Sequence, residues 1–339
     1  MSPYHFDRSS GNDDDYEDLF DRNNRQARRK RKPKARHVPK KSPDTILNEI
    51  AETAGLEAGF QTTYRPGLFE QGWLLDSLRP FYDQLYISDV LALVKGGKEA
   101  NVYRCEAHER LDEPLLAAKV YRPRMFRQLR NDKMYREGRG VLSAEGHDMN
   151  QSVHGDRIQR ALGKKTAYGQ EVAHTSWLMH EYTTLQKLHA LGAAVPRPIA
   201  ASSNALLMGY CGGDELAAPP LSEVRLARDE AEPLFRETLR NIELMLQHDI
   251  IHGDLSAYNI LYWEGQITLI DFPQVTNSRS NGHAQQILAR DVTRVCQYFS
   301  AMGVQSDATA ITRHLWRSYV ARDPKEVSAD LSRMTGDAF

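Results

Sequence analysis

The segments Ile251-His-Gly-Asp-Leu-Ser-Ala-Tyr-Asn259 and Ile270-Asp-Phe272 decide the fold of this 339-residue chain. Between them, two short apolar strands flank the turn Glu264-Gly265, which predicts a β-hairpin. Because a hairpin brings its open ends together, Asn259 and Asp271 are predicted to lie side by side. An amide oxygen next to a carboxylate suits Mg²⁺, a cation that prefers oxygen ligands and keeps positions for phosphate oxygens.

Asp254 lies on the loop before this hairpin, where its carboxylate can accept a proton from a nucleophile or orient it. An isolated Asp or Asn is usually a turn or helix-cap residue. The complete pattern of H-G-D-x₄-N with I-D-F at hairpin spacing is far more specific, and it favours phosphoryl transfer. We interpret His252 as a packed histidine that holds the loop, rather than as an acid or base.

Lys119 lies in the middle of an apolar predicted strand, residues 115–121, where burial without a partner would be costly. A predicted helix at 171–191 offers that partner, because Glu181 falls on its apolar stripe. We predict an ion pair that directs Lys119 toward nucleotide phosphates. In the alternative, Glu181 lies at the edge of the stripe and Lys119 extends outward to solvent.

A glycine-bearing turn, Lys95-Gly-Gly-Lys-Glu-Ala-Asn101, separates two predicted strands at the start of the same region. Such a turn can bring backbone N–H groups against phosphates. It matches neither G-x-G-x-x-G nor a Walker A sequence, and taken alone it fits a plain hairpin.

The composition is that of an ordinary globular protein, with 41% hydrophobic residues, 26% charged residues and a formal net charge of −1. Cys105, Cys211 and Cys296 are too dispersed for a zinc site or a disulfide framework. No apolar stretch approaches a membrane span, and the N-terminus lacks the apolar core of a secretory signal. We therefore expect a cytoplasmic protein without membrane partners.

The order of predicted elements indicates an α+β, two-lobed fold with a small, mostly antiparallel β N-lobe and a helical C-lobe. A ligand would bind in the cleft between the lobes. In the N-terminal extension, Pro80 is expected to interrupt a helical pattern at 73–86. The predicted divisions are a disordered acidic and basic tail at 1–43, a short helical extension at 44–85, the N-lobe at 86–210 with a flexible loop at about 122–168, the C-lobe at 211–325, and a C-terminal tail at 326–339.

Together these motifs resemble the RIO-type atypical serine/threonine protein kinases over roughly residues 85–305. Asp291 also falls where that family has an Asp in the first helix after the I-D-F motif. The matching pieces are Lys95-Gly-Gly-Lys-Glu-Ala-Asn-Val-Tyr103, Ala118-Lys-Val-Tyr121, Glu181, Val195-Pro-Arg-Pro-Ile199, Leu206-Leu-Met208, His252-Gly-Asp-Leu-Ser256, Asn259 and Ile270-Asp-Phe-Pro-Gln274.

The resemblance implies a kinase-like fold that binds ATP with Mg²⁺, or with Mn²⁺ as an alternative ion. Asp254 would be the catalytic base, aided by Asp271 and Lys119, and Asn259 and Asp271 would hold the metal. In this family the aspartate at the place of Asp271 can itself accept phosphate. The nucleotide-binding residues implied are Gly97, Lys98, Glu99, Val102, Lys119, Glu181, Ser256, and a hinge from Met208 to Tyr210.

Residues 272–339, which follow Asp271, contain no Ala-Pro-Glu, so we expect a reduced C-lobe without an activation segment. The expected substrate is a protein, with the chain itself as one candidate. The alternative enzyme is a small-molecule kinase of the aminoglycoside or choline type, which fits Ser256 where ordinary protein kinases have a lysine. A third reading is a nucleotide-gated module that binds RNA or a ribosomal particle through basic residues 22–41.

Overall fold

The computed structural model of the chain describes residues 62–122, 139–149, 155–164 and 166–321. Both predicted tails and the first part of the N-terminal extension therefore lie outside the described residues. None of the helices in these ranges is both long enough and apolar enough to cross a membrane.

The described residues between 62 and 209 build a five-stranded antiparallel sheet with the strand order β1-β2-β3-β5-β4, together with three helices. The connection from β3 to β5 contains a long helix where the sequence predicted one, at 171–191. The elements are α1 (Leu68–Asp83), β1 (Ile87–Gly96), β2 (Ala100–Ala107), β3 (Leu115–Tyr121), α2 (Gly155–Gly163), α3 (Ala167–Ala190), β4 (Pro198–Ala201) and β5 (Ala205–Gly209).

The second half is mostly helical, with short strand pairs next to the loops that carry the H-G-D and I-D-F motifs. Its helices share one core with the buried side of the β7–β8 hairpin. The elements are α4 (Arg228–Gln247), β6 (Ile250–Ile251), β7 (Ile260–Trp263), β8 (Gln266–Leu269), β9 (Thr276–Asn277), α5 (Ala284–Ala301) and α6 (Ala308–Tyr319), with 3-10 turns at Leu221–Glu223 and Ala257–Asn259. The predicted α+β, two-lobed fold is confirmed.

Helix α1 covers one face of the sheet, where Leu74, Leu78 and Phe81 pack into a core with Val90 and Tyr103. The expectation that Pro80 interrupts this helix is wrong, because α1 runs on to Asp83. Pro80 lies in the last turn, where its missing N–H removes a single hydrogen bond. Burial of Leu78 and Phe81 on either side of it outweighs that loss.

The stretch 122–168, predicted to be a flexible loop, contains regular structure that the sequence did not indicate. Leu142 and Asp148 form an isolated antiparallel bridge, and α2 occupies Gly155–Gly163. Helix α3 begins four residues earlier than predicted, at Ala167, because the Thr166 hydroxyl accepts a hydrogen bond from the Gly169 amide at 3.0 Å. Residues 123–138, 150–154 and 165 of this stretch lie outside the described residues.

Candidate active site

The loop after β6 is fixed by its own buried residues. His252 is 1% exposed, and its Nε2 lies 3.1 Å from the carbonyl oxygen of Ile270. Gly253 has a φ of +84°, and a Cβ atom there would lie 2.1 Å from the carbonyl oxygen of Gln274. Only glycine fits this close approach. His252 is therefore the packed loop-holding histidine that the sequence predicted.

Asp254 and Asn259 are joined directly. The Asn259 Nδ2 donates to the carbonyl oxygen of Asp254 at 2.9 Å and, more weakly, to its Oδ2 at 3.3 Å. The backbone amide of Ile270 donates to the Asn259 carbonyl at 3.0 Å. Asn259 and the residue before Asp271 thus close the hairpin, as its spacing predicted.

Asp271 has a φ of +72°, in the left-handed region that non-glycine residues seldom adopt. Such backbone strain concentrates at functional sites. The side chain of Asp271 is 42% exposed, and its Oδ1 lies 2.6 Å from the Lys119 ammonium. Partial burial of this carboxyl raises its pKa, but the Lys119 charge and hydrogen bond outweigh that effect and hold the pKa below its usual value.

Lys119 also pairs with Glu181, whose Oε1 lies 2.5 Å from the ammonium. The predicted ion pair between β3 and α3 is thus present, and the alternative in which both groups reach solvent is wrong. Glu181 is nearly fully buried, and its second oxygen accepts a hydrogen bond from the Tyr121 hydroxyl. Lys119 therefore links the helix that carries Glu181 to the segment that carries Asp271.

The register of the sheet places other predicted nucleotide-binding residues on the same face as Lys119. Val102 lies opposite Lys119 across β2 and β3, and Met208 lies opposite Ala117 across β3 and β5. Because alternate residues of a strand point to one face, Val102, Lys119 and Met208 share that face. Their arrangement suits the flat base and the phosphates of a nucleotide laid against the sheet.

The glycine turn is held by a buried amide. The Asn101 Oδ1 accepts a hydrogen bond from the Gly97 amide at 3.3 Å. A Cβ atom on Gly97 would lie 2.6 Å from the carbonyl oxygen of Ala100, so the turn needs glycine there. The Lys98 side chain is exposed, and the Glu99 carbonyl accepts from the Arg122 amide at 2.9 Å.

At the predicted hinge, the Gly209 amide donates to the Arg197 carbonyl at 2.8 Å, next to Tyr210. The Ser256 carbonyl accepts from the Asn259 amide at 2.9 Å and opens the 3-10 turn. The nucleotide-binding roles of Gly97, Lys98, Glu99, Val102, Met208, Tyr210 and Ser256 remain predictions.

The donor set at the predicted metal site fits Mg²⁺ bound together with phosphates. Among the described ranges, no cluster of three His, Cys, Asp or Glu residues could hold a metal ion by itself. Asn259 directs its amide nitrogen to Asp254, which leaves its oxygen as an acceptor, and Asp271 has a second carboxylate oxygen beyond the one that Lys119 contacts. Two oxygen ligands from the protein suit an ion that completes its shell with phosphate and water oxygens.

Helix α5 contributes three residues to this site, of which the sequence indicated only Asp291. The buried Asp291 accepts a hydrogen bond from the Gly253 amide at 2.8 Å, and Arg290 donates to the Gly253 carbonyl. Burial raises the pKa of Asp291 despite the neighbouring His252 and Arg290. Arg294 Nη1 lies 2.7 Å from Asp254 Oδ1. Arg294 follows Asp291 by three residues and so shares its helix face, a signal that could have identified it.

Comparison with known proteins identifies the family. The model of the RIO domain matches residues 133–312, more than half of the chain. The chain belongs to the RIO-domain family. The matched range contains Glu181, Asp254, Asn259, Asp271 and the whole of α5, whereas Lys119 precedes it and is brought to the site by the fold.

Several relatives are named as RIO kinases. The chain is 29% identical over 221 residues to the RIO-type serine/threonine-protein kinase Rio1 of Haloferax volcanii, an alignment that covers 64% of this chain and 66% of the relative. It is 27% identical over 233 residues to the serine/threonine-protein kinase RIO1 of Chaetomium thermophilum, covering 65% of this chain and 41% of the relative. It is 31% identical over 131 residues to the human serine/threonine-protein kinase RIO3, an alignment that covers 38% of this chain and 25% of the relative. The chain thus spans just under two thirds of the archaeal relative and smaller parts of the others.

Proposed function

We propose that this RIO-domain protein is an ATP- and Mg²⁺-dependent phosphotransferase that acts as a serine/threonine protein kinase. The observation that carries the proposal is the bridge from Glu181 through Lys119 to Asp271, at 2.5 Å and 2.6 Å. It places a charged lysine between the sheet and the hairpin that carries both predicted metal ligands. The names of the relatives support the same reaction class.

In the proposed reaction, the hydroxyl oxygen of the acceptor forms a bond to the γ-phosphorus, and the bond to the β-phosphate oxygen breaks to release ADP. The acceptor proton goes to the Asp254 carboxylate. Lys119, held from both sides, orients the phosphates and neutralises part of their charge. Mg²⁺ held by Asn259 and Asp271 would neutralise the charge on the phosphate oxygens.

The proposal also covers a second phosphate acceptor and the cellular compartment of the protein. Asp271 is partly exposed, and we propose its carboxylate as an alternative acceptor. The oxygen that Lys119 does not contact would form a bond to the γ-phosphorus in place of its proposed metal contact, the bond to the β-phosphate oxygen would break to release ADP, and an aspartyl-phosphate would result. The three cysteines are free thiols, which supports a reducing compartment such as the cytoplasm.

The test is incubation with γ-labelled ATP and Mg²⁺, with and without a general protein substrate. We expect Asp254→Asn and Asp271→Asn each to lower phosphate transfer at least about 100-fold without loss of the fold. Only Asp271→Asn should also weaken Mg²⁺-dependent nucleotide binding. Asp249→Asn is the matched control, because Asp249 lies just before β6 in a partly exposed ion pair with Arg279 and its φ of +61° tolerates asparagine.

Wild-type transfer by both variants would refute the site assignment. The stability of the bound label identifies the acceptor, because acyl phosphates are lost in base whereas phosphoserine survives acid. Label on an aminoglycoside or choline, and none on protein, would favour the small-molecule kinase. Stoichiometric label on Asp271 with no transfer would favour a nucleotide-gated binding module.

A further inference from the structure

Arg294 and Asp254 form an ion pair that the reaction proposed above does not use. Arg294 lies in the middle of α5, and its Nη1 is 2.7 Å from Asp254 Oδ1. The two side chains are 40% and 37% exposed. An ion pair with this exposure typically adds only about 0–1 kcal/mol to stability. Stability alone is therefore a weak reason for this contact.

The backbone of the loop is already fixed to α5 without Arg294. Asp291 accepts from the Gly253 amide, and Arg290 donates to the Gly253 carbonyl. His252 is packed against Phe272, with ring centroids 4.8 Å apart. Arg294 makes the one contact from α5 in the described residues that reaches the side chain of Asp254 rather than the loop backbone. Arg294 therefore orients the Asp254 carboxylate and places a positive charge next to it.

The loop itself cannot supply this charge. Residues 252–259 contain no lysine or arginine, and the residue two positions after Asp254 is the uncharged Ser256. The Lys119 ammonium is committed to Glu181 and Asp271. The cation at Asp254 therefore comes from α5, 40 residues later in the chain.

We propose that Arg294 is a positioning residue for phosphoryl transfer. Its guanidinium holds Oδ1 of Asp254, so that Oδ2 faces the acceptor hydroxyl. The only hydrogen bond to Oδ2 among the described residues is the long one from Asn259 at 3.3 Å, which leaves this oxygen able to take the acceptor proton. This inference rests on the proposed function, because it requires Asp254 to act as the base. It adds a residue from outside the motif to the machinery of transfer.

The test compares Arg294→Gln, Arg294→Lys and Arg294→Ala with the wild-type chain in steady-state kinetics. We expect Arg294→Gln to lower kcat about 10- to 100-fold, the range that misorientation of a reacting group produces. KM for ATP and Tm should stay close to wild type, because Asp254 is the one polar partner of the partly exposed Arg294 side chain among the described residues. Arg294→Lys should retain an intermediate kcat. Added guanidinium ion at millimolar concentration should restore part of kcat in Arg294→Ala, and none in Asp254→Asn.

Arg313→Gln is the matched control, because Arg313 is an exposed residue on the neighbouring helix α6. It should leave kcat, KM and Tm unchanged. If Asp254→Asn is inactive and Arg294→Gln keeps the wild-type kcat, the inference about Arg294 fails and the proposed function stands. If Asp254→Asn keeps the wild-type kcat, the proposed function is refuted, and the inference about Arg294 is refuted with it. A loss of kcat that accompanies a lowered Tm, without rescue by guanidinium, would show a structural role and overturn the inference.

Discussion

At the residue scale, the site depends on keeping one lysine charged inside an apolar strand. Burial alone would lower the pKa of Lys119. The carboxylates of Asp271 and Glu181 outweigh burial and raise that pKa well above its usual value. The lysine therefore stays protonated throughout the physiological range and is available to anionic phosphates. Glu181, almost fully buried, depends on the same charge.

This dependence predicts the effect of breaking the pair. Lys119→Ala should leave Glu181 buried without a counter-charge and lower the free energy of unfolding by about 3–5 kcal/mol. The double variant Lys119→Met/Glu181→Leu should recover part of that loss, because two apolar side chains of similar size remove both charges together. Urea denaturation of Lys119→Met, Glu181→Leu and the double variant measures the coupling between the two side chains.

The exposed pair of Arg236 and Glu232 on α4 provides the control, since its removal should change stability by at most about 1 kcal/mol. Strictly additive effects of the Lys119 and Glu181 substitutions would show that the two side chains do not interact in solution.

At the scale of elements, α1 is connected to the glycine turn by a partly buried polar network. Glu70 on α1 accepts hydrogen bonds from Asn101 Nδ2 at 3.2 Å and from the Tyr103 hydroxyl. Its second oxygen accepts from the Tyr64 hydroxyl at 3.0 Å. Asn101 in turn holds the Gly97 amide. The N-terminal helix thereby fixes the residue that shapes the predicted phosphate-binding turn.

We expect Glu70→Ala to lower stability by about 1–3 kcal/mol, because it leaves buried donors on Asn101 and Tyr103 without their acceptor. It should also raise KM for ATP several-fold while changing kcat less, since the turn would lose its support but Asp254 would not. Nucleotide titration and thermal unfolding measure the two effects. Glu106→Ala is the control, because exposed Glu106 on the neighbouring β2 accepts only a surface hydrogen bond from Ser88 among the described residues.

An unchanged KM for ATP in Glu70→Ala, together with reduced stability, would limit the role of α1 to packing. The predicted effect of Glu70 on nucleotide binding by the glycine turn would then be wrong, although the hydrogen bonds of Glu70 with Asn101 and Tyr103 are present.

A second connection between elements joins α3 to the segment after Asp271. Arg139 donates to the carbonyl oxygens of Pro273, at 3.0 Å, and Val275. The next residue, Gly140, has its carbonyl oxygen 2.7 Å from His180 Nε2 on α3. Residues 139–140 therefore hold the helix that carries Glu181 close to the backbone that follows Asp271. These contacts and the Lys119 bridge therefore join the same two parts of the chain, α3 and the segment around Asp271.

At the scale of the whole molecule, charge is distributed unevenly along the sequence. The net charge is −1, yet residues 22–41 contain eleven Lys and Arg and no aromatic residue. Such a segment can neutralise phosphates, but it offers no Phe, Tyr or Trp platform on which successive bases could stack. It lies outside the described residues, so its partner is predicted from composition alone.

If residues 22–41 bind RNA, binding should be independent of sequence and weaken about 10³-fold or more between ~50 mM and ~200 mM salt. A full-length variant with the Lys and Arg of this segment replaced by Gln should lose that binding. Its ATP turnover should match the wild type, since the site is built from later residues. Salt titrations of RNA affinity make the comparison, and unchanged RNA binding at low salt would exclude the segment as a nucleic-acid arm.

The sequence by itself determined the parts of the site that are local or periodic. Turn residues and strand lengths fix the hairpin that brings Asn259 toward Asp271, and these signals lie within a few residues of one another. The Lys119–Glu181 pair could be predicted because each charge interrupts an apolar face, and a buried charge requires a partner.

Only the tertiary structure decided which distant faces meet. Hydrophobic periodicity shows which face of a helix or strand is buried, but it does not indicate which other element packs against that face. The contacts of Arg294 with Asp254 and of Glu70 with Asn101 join residues 40 and 31 positions apart, and no spacing rule links them. For the same reason α1 continues through Pro80, because packing against the sheet outweighs the local helix-breaking preference.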